Sequence, residues 1–212
     1  MFLIKKNISN GLNILLTIGF GYFFWLMLKI TWEYVPLNTN VSFLMIKQTE
    51  VTSRPEYLYF FYTHVYTSIF VLLTGFLAII RKDLGIKGFH KKIGKIYIFL
   101  ILFLDAPSGI YMGIFANGGI YSKISFVILG CWWWFSTLKA YQLARQKKFR
   151  QHQQWMWRSF ALTISAITLR MWKVIIVYLF HPNPMDVYQI IAWLGWIPNI
   201  LLIEYLIARK LL

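Results

Sequence analysis

Six long stretches of the chain consist mainly of apolar residues, and shorter polar segments separate them. A transmembrane helix needs about 20 such residues. The apolar runs are continuous, without the strict alternation of a half-buried strand, and this favours helices. The pattern therefore predicts an all-α, polytopic transmembrane helix bundle that forms a single domain over residues 1–212. Its six helices are expected at about 12–32, 58–80, 93–115, 124–144, 157–180 and 188–208.

Helix-breaking residues indicate where these helices bend. Asp105, Pro107 and Gly109 predict a kink in the third helix, and Pro198 predicts a bend in the sixth. The longest connection, 33–56, is expected to carry a short surface helix at about 41–46.

The composition supports a membrane environment. Hydrophobic residues make up 58% of the chain and charged residues 14%, against roughly 45–50% and about 25% in soluble domains. A surrounding lipid bilayer explains why so many of the residues are apolar. The single cysteine, Cys131, excludes a disulfide within the chain. We expect a multi-pass protein of the cell membrane.

Basic residues are distributed unevenly over the connections. The net charge is +15, which is also typical of proteins that bind nucleic acid. In a six-helix arrangement, however, the basic residues of the ends and of the second and fourth connections all fall on one side. The positive-inside rule then predicts that both termini are cytoplasmic. The expected partner is the lipid bilayer with its anionic headgroups, and nucleic acid is not needed to explain the charge.

Four polar residues fall in the outer halves of predicted helices: His64, Asp105, Arg170 and Lys173. Ionisable groups in hydrocarbon are costly and usually have a partner or a function. Helical spacing places each of them on a stripe of polar or small residues, and such stripes are expected to face the bundle interior. We predict a ligand pocket formed by these four residues. The alternative is an Asp105–Arg170 ion pair that only fixes the packing of the helices.

Two further histidines, His90 and His152, lie where the third and fifth helices begin, at the inner surface. Neutral imidazoles from two helices can hold a b-type haem between them. We therefore treat His90, His152 and His64 as candidate cofactor ligands. The alternative is that His90 and His152 are surface residues that face lipid headgroups. The spacing contains no compact metal-binding motif, such as two histidines four residues apart, so we predict no metal site of that kind.

Five stretches of sequence together resemble a known family. They are YFFYTHVYTSIFVLLTGFLAIIRK, FHKKIGKIYIF, SGIYMGIFANGGIYSKISF, RQHQQWMWRSFALTISAITLRMWK and IIAWLGWIPNILLIEY. In this order they are similar to the bacterial predicted membrane proteins catalogued as domain-of-unknown-function family 2306, over residues of about 57–206. The resemblance implies a multi-helix membrane fold with His64, His90, His152 and Arg170 as its signature polar positions. It implies no activity.

A looser resemblance connects the histidine-bearing helices with transmembrane cytochromes b, which pair histidines across helices. The leading hypothesis is thus a haem-associated membrane redox protein. The second is a small transporter or a proton- or ligand-binding protein that uses the outer pocket. The third is a non-catalytic assembly component. The sequence has no nucleophile elbow, P-loop or dinucleotide fingerprint, and it leaves open whether the protein is an enzyme.

Overall fold

The computed structural model describes residues 6–80 and 88–210, and the regular elements of these two segments are all helical. The long apolar runs form the helices because an α-helix satisfies its own backbone hydrogen bonds where no water is present. The elements are α1 (Lys6–Trp32), α2 (Ser42–Met45), α3 (Gln48–Ser53), α4 (Pro55–Ile80), α5 (Phe89–Leu100), a π-helical turn (Ile101–Asp105), α6 (Ala106–Ile114), α7 (Gly119–Arg145), α8 (Phe149–Thr163), α9 (Ser165–Phe180), α10 (Pro184–Leu194) and α11 (Ile197–Ala208).

Several of these helices are long and apolar enough to cross a membrane. Four stretches qualify directly, and α8 with α9 qualifies as a fifth, broken span: Ile14–Trp32, Pro55–Ile79, Phe89–Ile114, Pro184–Ala208, and Phe149–Thr163 with Ser165–Phe180. Large apolar side chains stand on the outside of the bundle, such as Ile18 at 65%, Phe103 at 66% and Leu201 at 63% exposure, as a lipid-facing surface requires. The predicted all-α membrane fold is confirmed.

The predicted fourth helix exists as α7, which is 27 residues long. Its Trp, Tyr, Ser and Lys side chains lower its mean hydropathy, so α7 is not among the candidate spans. The count of six spans, the single domain and the cytoplasmic position of both termini therefore stay predictions.

Two predicted helices are interrupted near the residues expected to bend them. The third contains the π-helical turn, which ends at Asp105 and is followed by Pro107 in the first turn of α6, where a missing backbone N–H costs little. The sixth is interrupted between Leu194 and Ile197, with Pro198 at the start of α11. Both expected bends thus correspond to local departures from the α-helix.

The fifth predicted helix is bent by 40° between α8 and α9. Asn199 of α11 lies at this bend, and its side-chain amide donates to the carbonyl oxygen of Ala161, 3.2 Å away. The same amide lies 3.0 Å from Thr168 Oγ1. A side chain that inserts beside the backbone ladder is a known cause of helix bending. Asn199 therefore connects the bend in this helix with the packing of α11.

The connection 33–54 folds back over the end of the bundle at which α4 begins and α6 ends. Its α2 lies within the range where the sequence predicts a surface helix. Lys47, only 1% exposed, forms an ion pair of 2.9 Å with Glu50 and donates a hydrogen bond to the carbonyl oxygen of Phe115. Below it Leu44, Tyr57 and Phe61 form a buried cluster. The connection is thus fixed to the ends of α4 and α6.

A second, polar cluster lies in the centre of the bundle between α5, α7 and α8. The fully buried Tyr97 hydroxyl lies 2.9 Å from Ser159 Oγ and 2.8 Å from Thr163 Oγ1. Thr137 reaches Ser159, at 2.7 Å, and Trp133 donates to Thr163, at 3.1 Å. Because water cannot satisfy these groups in hydrocarbon, their mutual hydrogen bonds hold the three helices in register.

Candidate functional site

The most distinctive polar contact within the bundle joins His64 of α4 to Asp105 in the π-helical turn. Imidazole Nδ1 lies 2.9 Å from the carboxylate oxygen Oδ1 and also 2.9 Å from the backbone carbonyl oxygen of Asp105. A carbonyl can only accept a hydrogen bond, so Nδ1 carries a hydrogen. In the neutral ring the lone pair is then on Nε2. The two residues, predicted as part of one pocket, are brought together.

Asp105 is surrounded by hydroxyl groups of the same face of α4. Thr67 and Ser68, one helical turn after His64, donate to Asp105 Oδ1 over 3.1 and 2.9 Å. Asp105 itself is completely buried, whereas 29% of the His64 side chain is accessible. Within the two described segments, the second carboxylate oxygen, Oδ2, has no hydrogen-bond partner. The cluster therefore holds a buried carboxylate with one oxygen fully engaged and one unused.

Local features of the third helix position this pair. A π-helical turn inserts one extra residue, and such turns are frequent at functional sites. Gly109, one turn after Asp105, lies against the imidazole: a Cβ at this position would be 2.9 Å from His64 Cε1 and 3.1 Å from Nδ1. The ring is thus confined between the Asp105 carboxylate and the bare backbone of α6.

Arg170 and Lys173 do not join this cluster through direct contacts. Arg170 is exposed and donates to the carbonyl oxygen of Ala166 at 2.7 Å. Lys173 is exposed and lies over the Tyr188 ring, 5.8 Å from its centre. The prediction that the whole polar stripe of the fifth helix faces inward is wrong at Arg170 and Lys173, which lie beyond the bend between α8 and α9 and are exposed.

The alternative of an Asp105–Arg170 ion pair is wrong as well. Both residues lie in the described part of the chain, and no ion pair joins them there; the cationic partner available to Asp105 is His64. The inward part of the stripe on α8 behaves as predicted, since Ser159 and Thr163 are buried. Arg170 is thus not a partner of Asp105.

The two remaining candidate histidines, His90 and His152, occupy matching positions in two helical hairpins. His90, in the first turn of α5, lies with Nδ1 2.9 Å from the carbonyl oxygen of Ala78 near the end of α4. His152, in the first turn of α8, lies with Nδ1 2.8 Å from the carbonyl oxygen of Ala140 near the end of α7. In both cases the bond spans 12 residues. Each histidine therefore connects the start of a helix to the end of the preceding one.

The Tyr97 cluster and the buried Lys47 were not predicted from the sequence. Ser159 and Thr163 are four residues apart on a stripe predicted to face inward, and this was the available signal for a polar centre. Nothing in the sequence indicated that Tyr97 would meet them. Across the described residues there is no group of three or more His, Cys, Asp or Glu side chains arranged to hold a metal ion.

The fold and the buried polar pair define a helical integral membrane protein. Residues 61–207 match the model of a family described as predicted membrane protein, DUF2306, and the chain belongs to this family. The match covers the residues of the candidate site and leaves out α1, the connection 33–54 and the first turn of α4. No curated protein and no solved structure matches the chain.

Proposed function

We propose that this protein binds a proton together with a small ligand at the His64–Asp105 pair, as a small transporter or a ligand-binding membrane protein would. The observation that supports this function is the 2.9 Å contact between His64 Nδ1 and Asp105 Oδ1 in the bundle interior. Intramembrane ionisable residues are functional more often than not, because their burial costs stability. Carboxylate and histidine pairs of this kind are common in proton relays.

The geometry gives each residue a role. Asp105 is buried and His64 is the accessible member, so a proton reaches the carboxylate by way of the imidazole. His64 accepts the proton on Nε2 while Nδ1–H faces Asp105. Histidine suits this role because its unperturbed pKa, about 6.5, lies near physiological pH. A neutral or net-neutral pair is the state that hydrocarbon tolerates best.

Ligand binding is expected to be coupled to this proton. Asp105 Oδ2 accepts no hydrogen bond from the described residues and is buried, so in this proposal a ligand's donor group reaches it by displacing the accessible His64 ring. A ligand that brings a donor group to this oxygen binds the pair together with the proton, which is held on Nε2 of His64. The chemistry thus favours ligands with an ammonium, amide or hydroxyl group.

An infrared pH titration of the purified protein in detergent tests the proposal. We expect the carboxylate stretch of Asp105 to shift as the pH falls and His64 becomes charged, and Asp105→Asn to remove that pH-dependent band while the protein stays folded. Asn keeps an oxygen for Thr67 and Ser68. The matched control is Glu204→Gln, which removes the carboxylate that pairs with Arg158 at 2.5 Å and should leave the Asp105 band in place.

The outcome that contradicts the proposal is equally clear. If Asp105→Asn leaves the pH-dependent bands unchanged and only lowers the unfolding temperature, the pair serves helix packing alone. The variant Asp105→Leu separates the two effects further, because it also removes the acceptor for Thr67 and Ser68. It should destabilise the fold by about 1–3 kcal/mol more than Asn does, at roughly 0.6–1.7 kcal/mol for each hydrogen bond lost in a membrane.

A second candidate is a haem-binding redox protein that uses His90 and His152. The matching Nδ1 contacts to Ala78 and Ala140 favour it, because they select the tautomer with the lone pair on Nε2. Ligating histidines in metal proteins commonly make such a bond through their other nitrogen. Haem bound there would supply one-electron chemistry. A reduced-minus-oxidised spectrum after expression with ample haem tests this; a Soret band that His90→Ala and His152→Ala remove supports it, and its absence from the wild type contradicts it.

A further inference from the structure

A groove of about 360 Å³ lies between α1 and α9, on the side of the bundle where α1 is loosely packed. Its floor is apolar and includes Met27, Ile167 and Val174. Only 6% of the apolar stretch Ile14–Trp32 of α1 is buried inside the protein. In a membrane, such a groove is open to the hydrocarbon of the surrounding lipid.

Two cations line this apolar groove. Arg170 enters it from α9, and Lys29 from the last turn of α1. Arg170 has no carboxylate within ion-pair distance in the described segments, and its one hydrogen bond is to the Ala166 carbonyl. Lys29 lies over the Trp25 ring, 5.9 Å from its centre. Among residues 6–80 and 88–210, neither cation forms an ion pair.

The carboxylate at the groove, Glu33, is already engaged. It accepts a hydrogen bond from the Ser42 hydroxyl, which holds it towards the outer connection. Lys29 and Arg170 outnumber the single carboxylate, so the residues that line the groove carry a net positive charge. Arginine in particular can present two parallel N–H donors to a phosphate group.

We infer that the groove between α1 and α9 binds an anionic phospholipid. One acyl chain lies along Met27, Ile167 and Val174, and the head phosphate contacts Arg170 and Lys29. The apolar floor supplies the affinity for the chain, and the two cations supply the preference for a negatively charged head. The lipid completes the packing of α1 against the bundle. This site is separate from the His64–Asp105 pair and does not depend on the function proposed for it.

Lipid binding to the full-length protein in detergent, followed by native mass spectrometry, tests the inference. The probes are a phosphatidylglycerol and the phosphatidylcholine with the same chains. We expect a clear preference for phosphatidylglycerol, which falls about fivefold in Arg170→Gln and about fivefold in Lys29→Gln, since one basic residue near anionic lipid is worth about that much. Lys173→Gln is the matched control: it removes a positive charge from α9 outside the groove and should leave the preference unchanged.

Two further variants complete this test. Val174→Trp fills the groove without altering charge and should weaken binding of both lipids. Asp105→Asn should leave lipid binding intact, so a failure of the proton proposal is distinguished from a failure of this one. Equal binding of the two lipids by the wild type overturns the inference, as does an equal loss in Lys173→Gln and Arg170→Gln. Displacement of the lipid by inorganic phosphate alone would also overturn it, because the acyl chain would then contribute nothing.

Discussion

Replacement of Gly109 by alanine tests how closely α6 confines the imidazole of His64. The new Cβ would lie 2.9 Å from His64 Cε1 and 3.1 Å from Nδ1. Carbon atoms in contact prefer about 3.5–4.0 Å, so the ring has to move by roughly 0.5–1 Å. Such a shift away from α6 breaks the 2.9 Å contacts that Nδ1 makes with Asp105.

The size of the effect follows from two opposing contributions. Loss of a hydrogen bond to a buried charged group costs about 1–3 kcal/mol. Alanine in place of glycine within a helix stabilises by about 1 kcal/mol. We therefore expect Gly109→Ala to lower the free energy of unfolding by about 0–2 kcal/mol, measured by denaturation in mild detergent, and to disturb the proton titration of the pair.

Gly94→Ala is the control for helix propensity. Gly94 lies within α5, and a Cβ there would meet nothing within 4 Å. This variant should stabilise the protein by up to about 1 kcal/mol. If Gly109→Ala stabilised the protein as much as Gly94→Ala and left the titration unchanged, the close packing of α6 against His64 would be refuted.

Two other buried polar groups give further predictions. Lys47→Met leaves Glu50 without its partner and removes the donor to the Phe115 carbonyl. Because Glu50 is partly exposed, we expect the free energy of unfolding to fall by about 1–3 kcal/mol. An unchanged unfolding temperature would show that Lys47 does not fix the connection 33–54. Tyr97→Phe removes two hydrogen bonds in the bundle centre and should lower the free energy of unfolding, measured by denaturation, by about 1–3 kcal/mol. The double variant with Ser159→Ala should lose less stability than the sum of the two single variants. Strict additivity would contradict a shared cluster.

The sequence predicts much of the fold because one physical requirement dominates it. Long apolar runs have to form helices in hydrocarbon, and four of the six predicted runs correspond to candidate spans without further argument. The ends of the helices differ by several residues from the predicted ones, since turns of helix extend into the interface. The 27-residue α7 is the exception in composition, because Trp and Tyr, suited to membrane interfaces, reduce its apolar character.

The His64–Asp105 pair was predictable from spacing and depth. His64, Thr67 and Ser68 share one face of α4, and all three meet Asp105 at a similar level of the bundle. The exposed position of Arg170, beyond the bend between α8 and α9, was not predicted. The bend at Ile164 has no proline or glycine beside it; instead, Asn199 on a distant helix contacts the backbone there. A tertiary contact of this kind has no signature in the residues it bends.

The resemblance to a family of predicted membrane proteins is confirmed, and it does not by itself supply an activity. The proposed function therefore depends on the tautomer of one histidine. His64 Nδ1 faces a backbone carbonyl that can only accept a hydrogen bond, so this nitrogen is protonated whether the ring is neutral or charged. Proton uptake must then occur at Nε2.

Selective nitrogen-15 NMR of the histidine rings, with His64→Gln to assign the signals, measures this directly. We predict that the Nδ1 signal of His64 keeps the shift of a protonated nitrogen from pH 4 to 9, that Nε2 alone titrates, and that Asp105→Asn moves the midpoint of that titration. A neutral ring with its hydrogen on Nε2, or a midpoint that does not respond to Asp105→Asn, would contradict a shared proton site at these two residues.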